Sequence, residues 1–196
     1  MKNPCPGLWL ADIQEQTKHL TSLTNNLITL SRMEEERTRL QMIDFPFSDV
    51  VEETVQSFQA LARTQNKTFE TSIQPMISLY GDEKSLTQLV SILLDNAMKY
   101  STPEGEISLC LEKAGNNVKL SVYNTAEFID REQLPHLFDR FYRTDKSRNS
   151  ETGGYGLGLS IAAAVVNTHK GKITATTQDE HSLLITVTLP LKTQGR

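Results

Sequence analysis

The chain has 196 residues, 38% hydrophobic and 22% charged, a balance that argues against a disordered or membrane chain and suffices for one core of domain size. Its formal net charge of -4 argues against nucleic-acid binding through a basic face, while still allowing an anionic nucleotide to be held locally. Cys5 and Cys110 stand far apart and in no metal-ligand spacing, and no apolar run reaches the roughly 20 residues of a bilayer span. The expectation is a cytoplasmic, reducing compartment, with no zinc and no membrane contact by this stretch of chain.

Met1 to Ala11 reads as an irregular leader, since Pro4, Pro6 and Gly7 occupy the place of a signal-peptide core. From Asp12 to about Arg39 there is neither Gly nor Pro, and Ile13, Leu20 and Leu27 recur every seven residues with Leu23 and Leu30 between them. This is a heptad seam on one long helix, the alternative being a plain amphipathic surface helix. Phe45-Pro46-Phe47 stops it, and a new domain is expected from about Asp44. Ser48, with Glu52 and Glu53 after it, marks the start of a second helix through Val55, Phe58, Leu61 and Ala62. Thr68 to Ile73 and Ile77 to Tyr80 read as short strands split by Pro75, with Gly81-Asp82 as a turn before a helix over Glu83 to Lys99. Glu106 to Glu112 and Asn117 to Tyr123 alternate around Gly115-Asn116-Asn117 as a hairpin. A helix over Leu157 to His169 and a hairpin of Lys172 to Thr177 with Leu183 to Leu189 complete an α+β sandwich, helices on one face of a mixed sheet.

Three stretches carry chemistry. In LLDNAMKYS, Asn96 and Lys99 are three residues apart and share a helix face near its end. A carboxamide oxygen there can ligate a hard cation and an ammonium one turn on can neutralise phosphate; the bland alternative is a solvated helix end. In GGYGLGLS, glycines open directly into a helix, so backbone can approach a ligand while first-turn amides face an anion; the alternative is a flexible loop with a small-residue cap. FDRFYR offers aromatics to anchor a loop and the guanidinium groups of Arg140 and Arg143 to reach a terminal phosphate, or else a surface helix end.

The three motifs occur in one order within one domain, and over about Asp44 to Leu191 they resemble the catalytic domain of sensor histidine kinases, in the ATPase superfamily that includes gyrase and MutL and uses the Bergerat fold. LLDNAMKYS resembles the N box, FDRFYR the F box and GGYGLGLSIA the G2 box, and Asp145 to Arg148 falls in the family's usual place after the F box. The resemblance implies a kinase that uses Mg-ATP. Asn96 would ligate magnesium, Lys99 and Tyr100 would contact phosphate, and Arg143, with Arg140, would approach the terminal phosphate. Gly154, Tyr155, Gly156, Leu157, Gly158 and Leu159 would wrap the triphosphate, while Asn124 and Ile129 fall in the adenine-binding stretch. TNNLITLSRMEE in the first helix resembles the second helix of the dimerisation and phosphotransfer hairpin. The division implied is a leader over 1–11, that helix over 12–43 and the catalytic domain over 44–196, with a homodimer through the helical region and a response regulator as partner.

Departures matter as much. The family's Asp-x-Gly-x-Gly-Ile stretch is here Asn124-Thr125-Ala126-Glu127-Phe128-Ile129. Asn124 can still accept from an adenine amine, at the loss of a charge-assisted bond worth about 1 kcal/mol; Phe128 either packs on the base or fills the pocket. Ile92 stands four before Asn96, where hydrolytic relatives carry a carboxylate that activates water, which disfavours ATP hydrolysis. No His-Glu-x-x-Thr-Pro-like segment is present, and His19 has neighbours unlike that motif, so the phosphoacceptor helix is expected outside this sequence and autophosphorylation is not expected. The competing class is a degenerate kinase that docks a partner with weak or no nucleotide binding. Thr144 to Tyr155, polar and glycine-containing, is expected to be a mobile lid.

Overall fold

The computed structural model describes residues 17, 21, 24, 40–143 and 156–191. Residues 17, 21 and 24 are helical, and Thr21 Oγ1 donates to the Thr17 carbonyl at 2.8 Å. Of the helix expected over 12–43, most residues before 40 lie outside the described residues, as do the expected lid over 144–155 and Gly154 and Tyr155 with it; Leu40 and Gln41 are described and not helical, and Met42 and Ile43 belong to a strand, so the helix does not reach 43.

Among the described residues seven strands and three α-helices follow in the order β1 (Met42–Pro46), α1 (Phe47–Thr64), β2 (Thr68–Ile73), β3 (Ser78–Asp82), α2 (Glu83–Tyr100), β4 (Glu106–Ala114), β5 (Asn117–Thr125), a 3-10 helix (Arg131–Phe138), α3 (Gly158–Thr168), β6 (Lys172–Thr176) and β7 (Ser182–Pro190). The main sheet has the order β2-β4-β5-β7-β6, and only β2 and β4 run parallel. A parallel pair needs a crossover, and here β3 and α2 supply it. On the three central strands one sheet face is buried: Ile107, Leu109 and Leu111 on β4, Val118, Leu120 and Val122 on β5, and Leu183, Ile185, Val187 and Leu189 on β7. Alternation with period two places these on the helix side and leaves Ser108, Cys110, Ser121 and Tyr123 on the other. The α+β sandwich read from the pattern is therefore the fold.

The helix α2 is central. It packs against α1 on one side and α3 on the other, and buries Leu86, Leu89, Val90, Leu93, Leu94, Ala97 and Met98. Three local readings need correction. Phe45-Pro46 does not merely stop a helix; β1 pairs antiparallel with β3 through Phe45 opposite Leu79, and both side chains are buried. Ser48 is not the cap of α1, because Pro46 holds that position without a side-chain bond. Its hydroxyl instead donates to the Gln74 carbonyl at 2.7 Å and accepts from the Ile77 amide at 3.0 Å, tying α1 to the β2–β3 connection. Gly81-Asp82 is not a free turn but the end of β3, with Asp82 capping α2. β2 and β3 do not pair with each other; the chain turns at Met76, φ 62°, and carries them into different sheets.

The Asp82 carboxylate accepts from the Ser85 amide at 2.8 Å, the Ser85 hydroxyl at 2.6 Å and the Gln41 amide at 3.0 Å. Burial pushes this carboxyl up, but the Ser85 hydroxyl and amide and the Gln41 amide outweigh it and hold the group below its ordinary value of 3.8. A folded-state value below the unfolded one means stability that is present above about pH 4 and lost as pH falls through the folded value. Asp82→Ala is therefore expected to cost about 1 kcal/mol at neutral pH, and the gap between variant and parent in urea denaturation should narrow as the pH is lowered below 3.8. A constant gap would remove the carboxylate from the cap.

Candidate nucleotide-binding site

Of the expected site residues, Asn96, Lys99 and Tyr100 lie at the end of α2, and Gly156, Leu157, Gly158 and Leu159 at the start of α3. Asn96 is half-buried on the last full turns of α2, with Lys99 exposed and Tyr100 half-buried at the helix end. A Cβ built on Gly158, the first residue of α3, would lie 3.5 Å from Ile92 Cγ2. Ile92 is one turn before Asn96 on α2, so the first turn of α3 lies alongside the helix that presents the carboxamide. Leu157, at the cap position of α3, makes no side-chain cap bond, and the first turn holds no acidic residue. The amides that a helix start leaves without intrahelical acceptors are thus available to an anion. Leu157 is buried and Leu159 half-buried against the core, so both serve as packing anchors while Gly158 between them and Gly156 before them keep the backbone bare.

The aromatic-arginine stretch meets the same place through its backbone. The Phe141 amide donates to the Gly156 carbonyl at 2.9 Å, and a Cβ on Gly156 would come within 2.6 Å of the Tyr142 carbonyl oxygen. Gly156 has φ +69°, so the residue is required by conformation as well as by space. Phe138 packs on the core, as an anchor should, but Phe141 is 64% exposed and held at φ 61°, a strained backbone for a bulky residue. Arg140 is exposed and Arg143 half-buried just beyond.

The Lys99 ammonium lies 2.6 Å from the Asp95 carboxylate, an exposed pair one turn apart. Such pairs are worth about 0.3–0.5 kcal/mol, so a phosphate can exchange with Asp95 at little expense. At the end of β5, Asn124 is 2% exposed, and its Nδ2 donates to the Thr125 carbonyl at 2.8 Å, which leaves Oδ1 as the acceptor. Ile129 is half-buried and its amide bonds the Glu180 carbonyl at 2.6 Å. Phe128 does not fill the interior; it is half exposed, edge-on to the His181 ring at 6.4 Å. No group of three His, Cys, Asp or Glu side chains able to hold a metal occurs among the described residues. A carboxamide beside an uncapped helix start fits a cation that arrives with a polyphosphate rather than one caged by protein.

Two supporting residues escaped the sequence reading. Lys67 Nζ donates to the Met98 carbonyl at 2.8 Å, the Ser101 carbonyl at 3.1 Å and the Ser101 hydroxyl, closing the end of α2 with a cation where the helix dipole is negative. Nothing local to Lys67 in sequence announces this. His169 occupies the cap position after α3, and its partner lies 87 residues away, so no spacing rule reaches it.

The profile of histidine kinase-, DNA gyrase B-, and HSP90-like ATPases matches residues 81–193, and the chain belongs to this family of ATPases. The relatives that resemble it are sensor kinases. Sensor protein DltS of Streptococcus agalactiae serotype III (strain NEM316) is 32% identical over 192 residues, 97% of this chain and 48% of the relative. Among solved structures, the Acinetobacter baumannii histidine kinase AdeS superposes with TM-score 0.78 at 25% identity, covering 98% of this chain and 88% of that one. Histidine kinase ThkA in complex with response regulator protein TrrA has the same fold, with TM-score 0.74 at 21% identity over 99% of this chain and 55% of that one. Within the ATPase family, then, this is the ATP-binding catalytic domain of a histidine kinase. The chain spans about half the length of the DltS sequence it matches.

Gly115, first of the two residues joining β4 to β5, also has φ near +61° but would meet nothing within 4 Å if it carried a Cβ. Gly115→Ala is expected to lose the about 1–2 kcal/mol of a left-handed residue. Gly156→Ala pays that and the clash with the Tyr142 carbonyl, so it should be destabilised further by about 1 kcal/mol or more in denaturant titration. Equal losses would show that the Phe141–Gly156 contact is slack.

Proposed function

We propose that this chain binds Mg-ATP and transfers its terminal phosphoryl group to a histidine on a helix outside the sequence in hand, for relay to an aspartate of a response regulator. The observation that carries the reading is the packing of Ile92, one turn before Asn96 on α2, beside Gly158 at the uncapped start of α3. The first-turn amides of α3 and the ammonium of Lys99 would hold phosphate oxygens, and the Asn96 carboxamide would hold the magnesium that travels with them. Bound magnesium supplies charge neutralisation on the phosphate oxygens. Asn124 Oδ1 would accept from the adenine amine, Tyr100 would line the phosphate side, and Arg143 with Arg140 would approach the terminal phosphate. The chain's share of the chemistry is positioning and electrostatic stabilisation.

Ile92, packed beside Gly158 where a water-activating base would need to stand, supports transfer over hydrolysis. The complex of ThkA with TrrA supports a response regulator as the partner, and the leucine seam over 12–43 supports a homodimer in the whole kinase. No helix among the described residues is long and apolar enough to cross a membrane. A cytoplasmic place for the domain follows from the proposed use of ATP and relay to a response regulator. We take the domain to begin with β1 at Met42, two residues before the expected bound of 44, and to run to 196.

Calorimetric titration should show magnesium-dependent ATP binding, with the magnesium dependence lost in Asn96→Ala. Asn124→Asp should tighten binding about fivefold, the equivalent of a charge-assisted bond worth about 1 kcal/mol. Absence of binding at about 1 mM nucleotide would overturn the reading in favour of a docking module, and an unchanged affinity in Asn124→Asp would move the adenine contact elsewhere.

A further inference from the structure

The imidazole of His169 is 5% exposed, and both of its nitrogens are engaged. Nε2 lies 3.0 Å from the Asp82 amide, which can only donate, so Nε2 is the acceptor and carries no proton. Nδ1 therefore bears the proton and donates to the Val165 carbonyl, 2.8 Å away and one turn back on α3. Asp82 is the residue that caps α2. One ring thus joins the last turn of α3 to the first turn of α2. Nothing in the joint is slack: a Cβ on Gly81 would come within 2.9 Å of His169 Cδ2 and 2.8 Å of Leu86 Cδ1, so the ring lies directly on the backbone of β3.

The same two helices meet again at the other end, where Gly158 faces Ile92. Ten residues of α2 separate Asp82 from Ile92, and eleven of α3 separate Gly158 from His169. These correspond to about 15 and 16 Å of helix rise. The helices run antiparallel with both contacts in one register, and Asn96 stands about 6 Å further along α2, just past the start of α3. A slip of α3 along α2 would move its first-turn amides relative to Asn96, and the His169–Asp82 bond is the contact that opposes slip at the far end.

We propose that His169 is a positioning residue for the nucleotide site, acting through the axial register of α3 on α2. The proposal rests on the nucleotide-binding reading above, and it assigns to the site a residue at the opposite end of both helices. It requires a neutral imidazole with the proton on Nδ1 and an acceptor at the reach of Nε2.

The test uses the whole chain and Mg-ATP. The parent is titrated first, since failure to bind would count against the nucleotide reading and not against the register. His169→Gln places an amide oxygen at the reach of Nε2, whereas His169→Asn keeps the amide but falls short of Asp82. With each variant shown to be folded by near-ultraviolet circular dichroism at the titration temperature, His169→Gln should retain parental affinity. His169→Asn should weaken binding by about three- to tenfold, the range that one net hydrogen bond spans. A structural role alone lowers the melting temperature of both and leaves the affinity of the folded protein unchanged, so equal affinities of the two variants would overturn the proposal. Long-range proton–nitrogen spectra of the parent give an independent arm: the Nδ1-protonated tautomer is expected for His169, and the Nε2-protonated tautomer would overturn it even where a variant fails to fold.

Discussion

Burial of one face of α2 is the constraint on which the site depends. Leu86, Leu89, Val90, Leu93, Leu94, Ala97 and Met98 are all driven from water, and each large aliphatic among them contributes roughly 1.5–3 kcal/mol relative to exposure. With that face against the sheet and α1 and α3 on its flanks, the rotation of α2 about its axis is fixed. Asn96 and Lys99 then have no choice of direction: Asn96 stands half-buried at the edge of the packed face and Lys99 on the exposed side. The polar groups of the site are presented by a helix that hydrophobic packing has already oriented.

Rotation is not translation, and the ends of α2 are held by polar contacts. At the start, Asp82 gathers three donors on its carboxylate and gives its amide to His169. At the finish, Lys67 spans the Met98 carbonyl and Ser101, and burial pushes its ammonium down from the usual lysine value. A cation accepts that penalty when it satisfies carbonyls that the helix end leaves bare. The loop from Ser101 to Glu106 is carried along, since the Thr125 hydroxyl bonds Thr102 and the Glu106 amide.

Sheet, helices and their order were legible because periodicity reports burial, and burial is what folds this chain. The hairpin at Gly115 and the apolar face of α2 could each be read from one short stretch of sequence. The lost information was of another kind. β1 was hidden because its five residues, Met42–Pro46, pair only with β3, about 36 residues on, and contain a proline. Ser48 looked like a cap because its position was right, yet its hydroxyl was worth more to the Gln74 carbonyl and the Ile77 amide than to its own helix. Motif order marked Asn96 at the end of α2 and Gly156 and Gly158 at the start of α3, but neither Lys67 nor His169 has a local signature, since both act on elements distant in sequence.

The stretch after β5 shows how a loop can dispense with glycine. Where its relatives' pattern has two glycines, this chain has Ala126 and Phe128, and the backbone is fixed instead by its neighbour, the β6–β7 turn. The Ala126 amide bonds the His181 carbonyl at 2.7 Å and the Ile129 amide bonds the Glu180 carbonyl at 2.6 Å. Arg131 pairs with Glu180 and also donates to the Gln178 carbonyl, while His181 Nδ1 reaches the Glu127 carbonyl at 2.6 Å. Neither Ala126 nor Phe128 takes a left-handed backbone; the left-handed residue is Glu180, at φ 62° in a turn closed by Thr177 and by the Asp179 carboxylate bonded to Ser182 and the His181 amide. Phe128 is thereby held outward against His181 rather than swung into the space beside Asn124. A loop stitched at four points leaves Asn124 buried with its amide polarity set by Thr125, so the loss of both glycines and of the acidic residue leaves a defined hydrogen-bond acceptor in place.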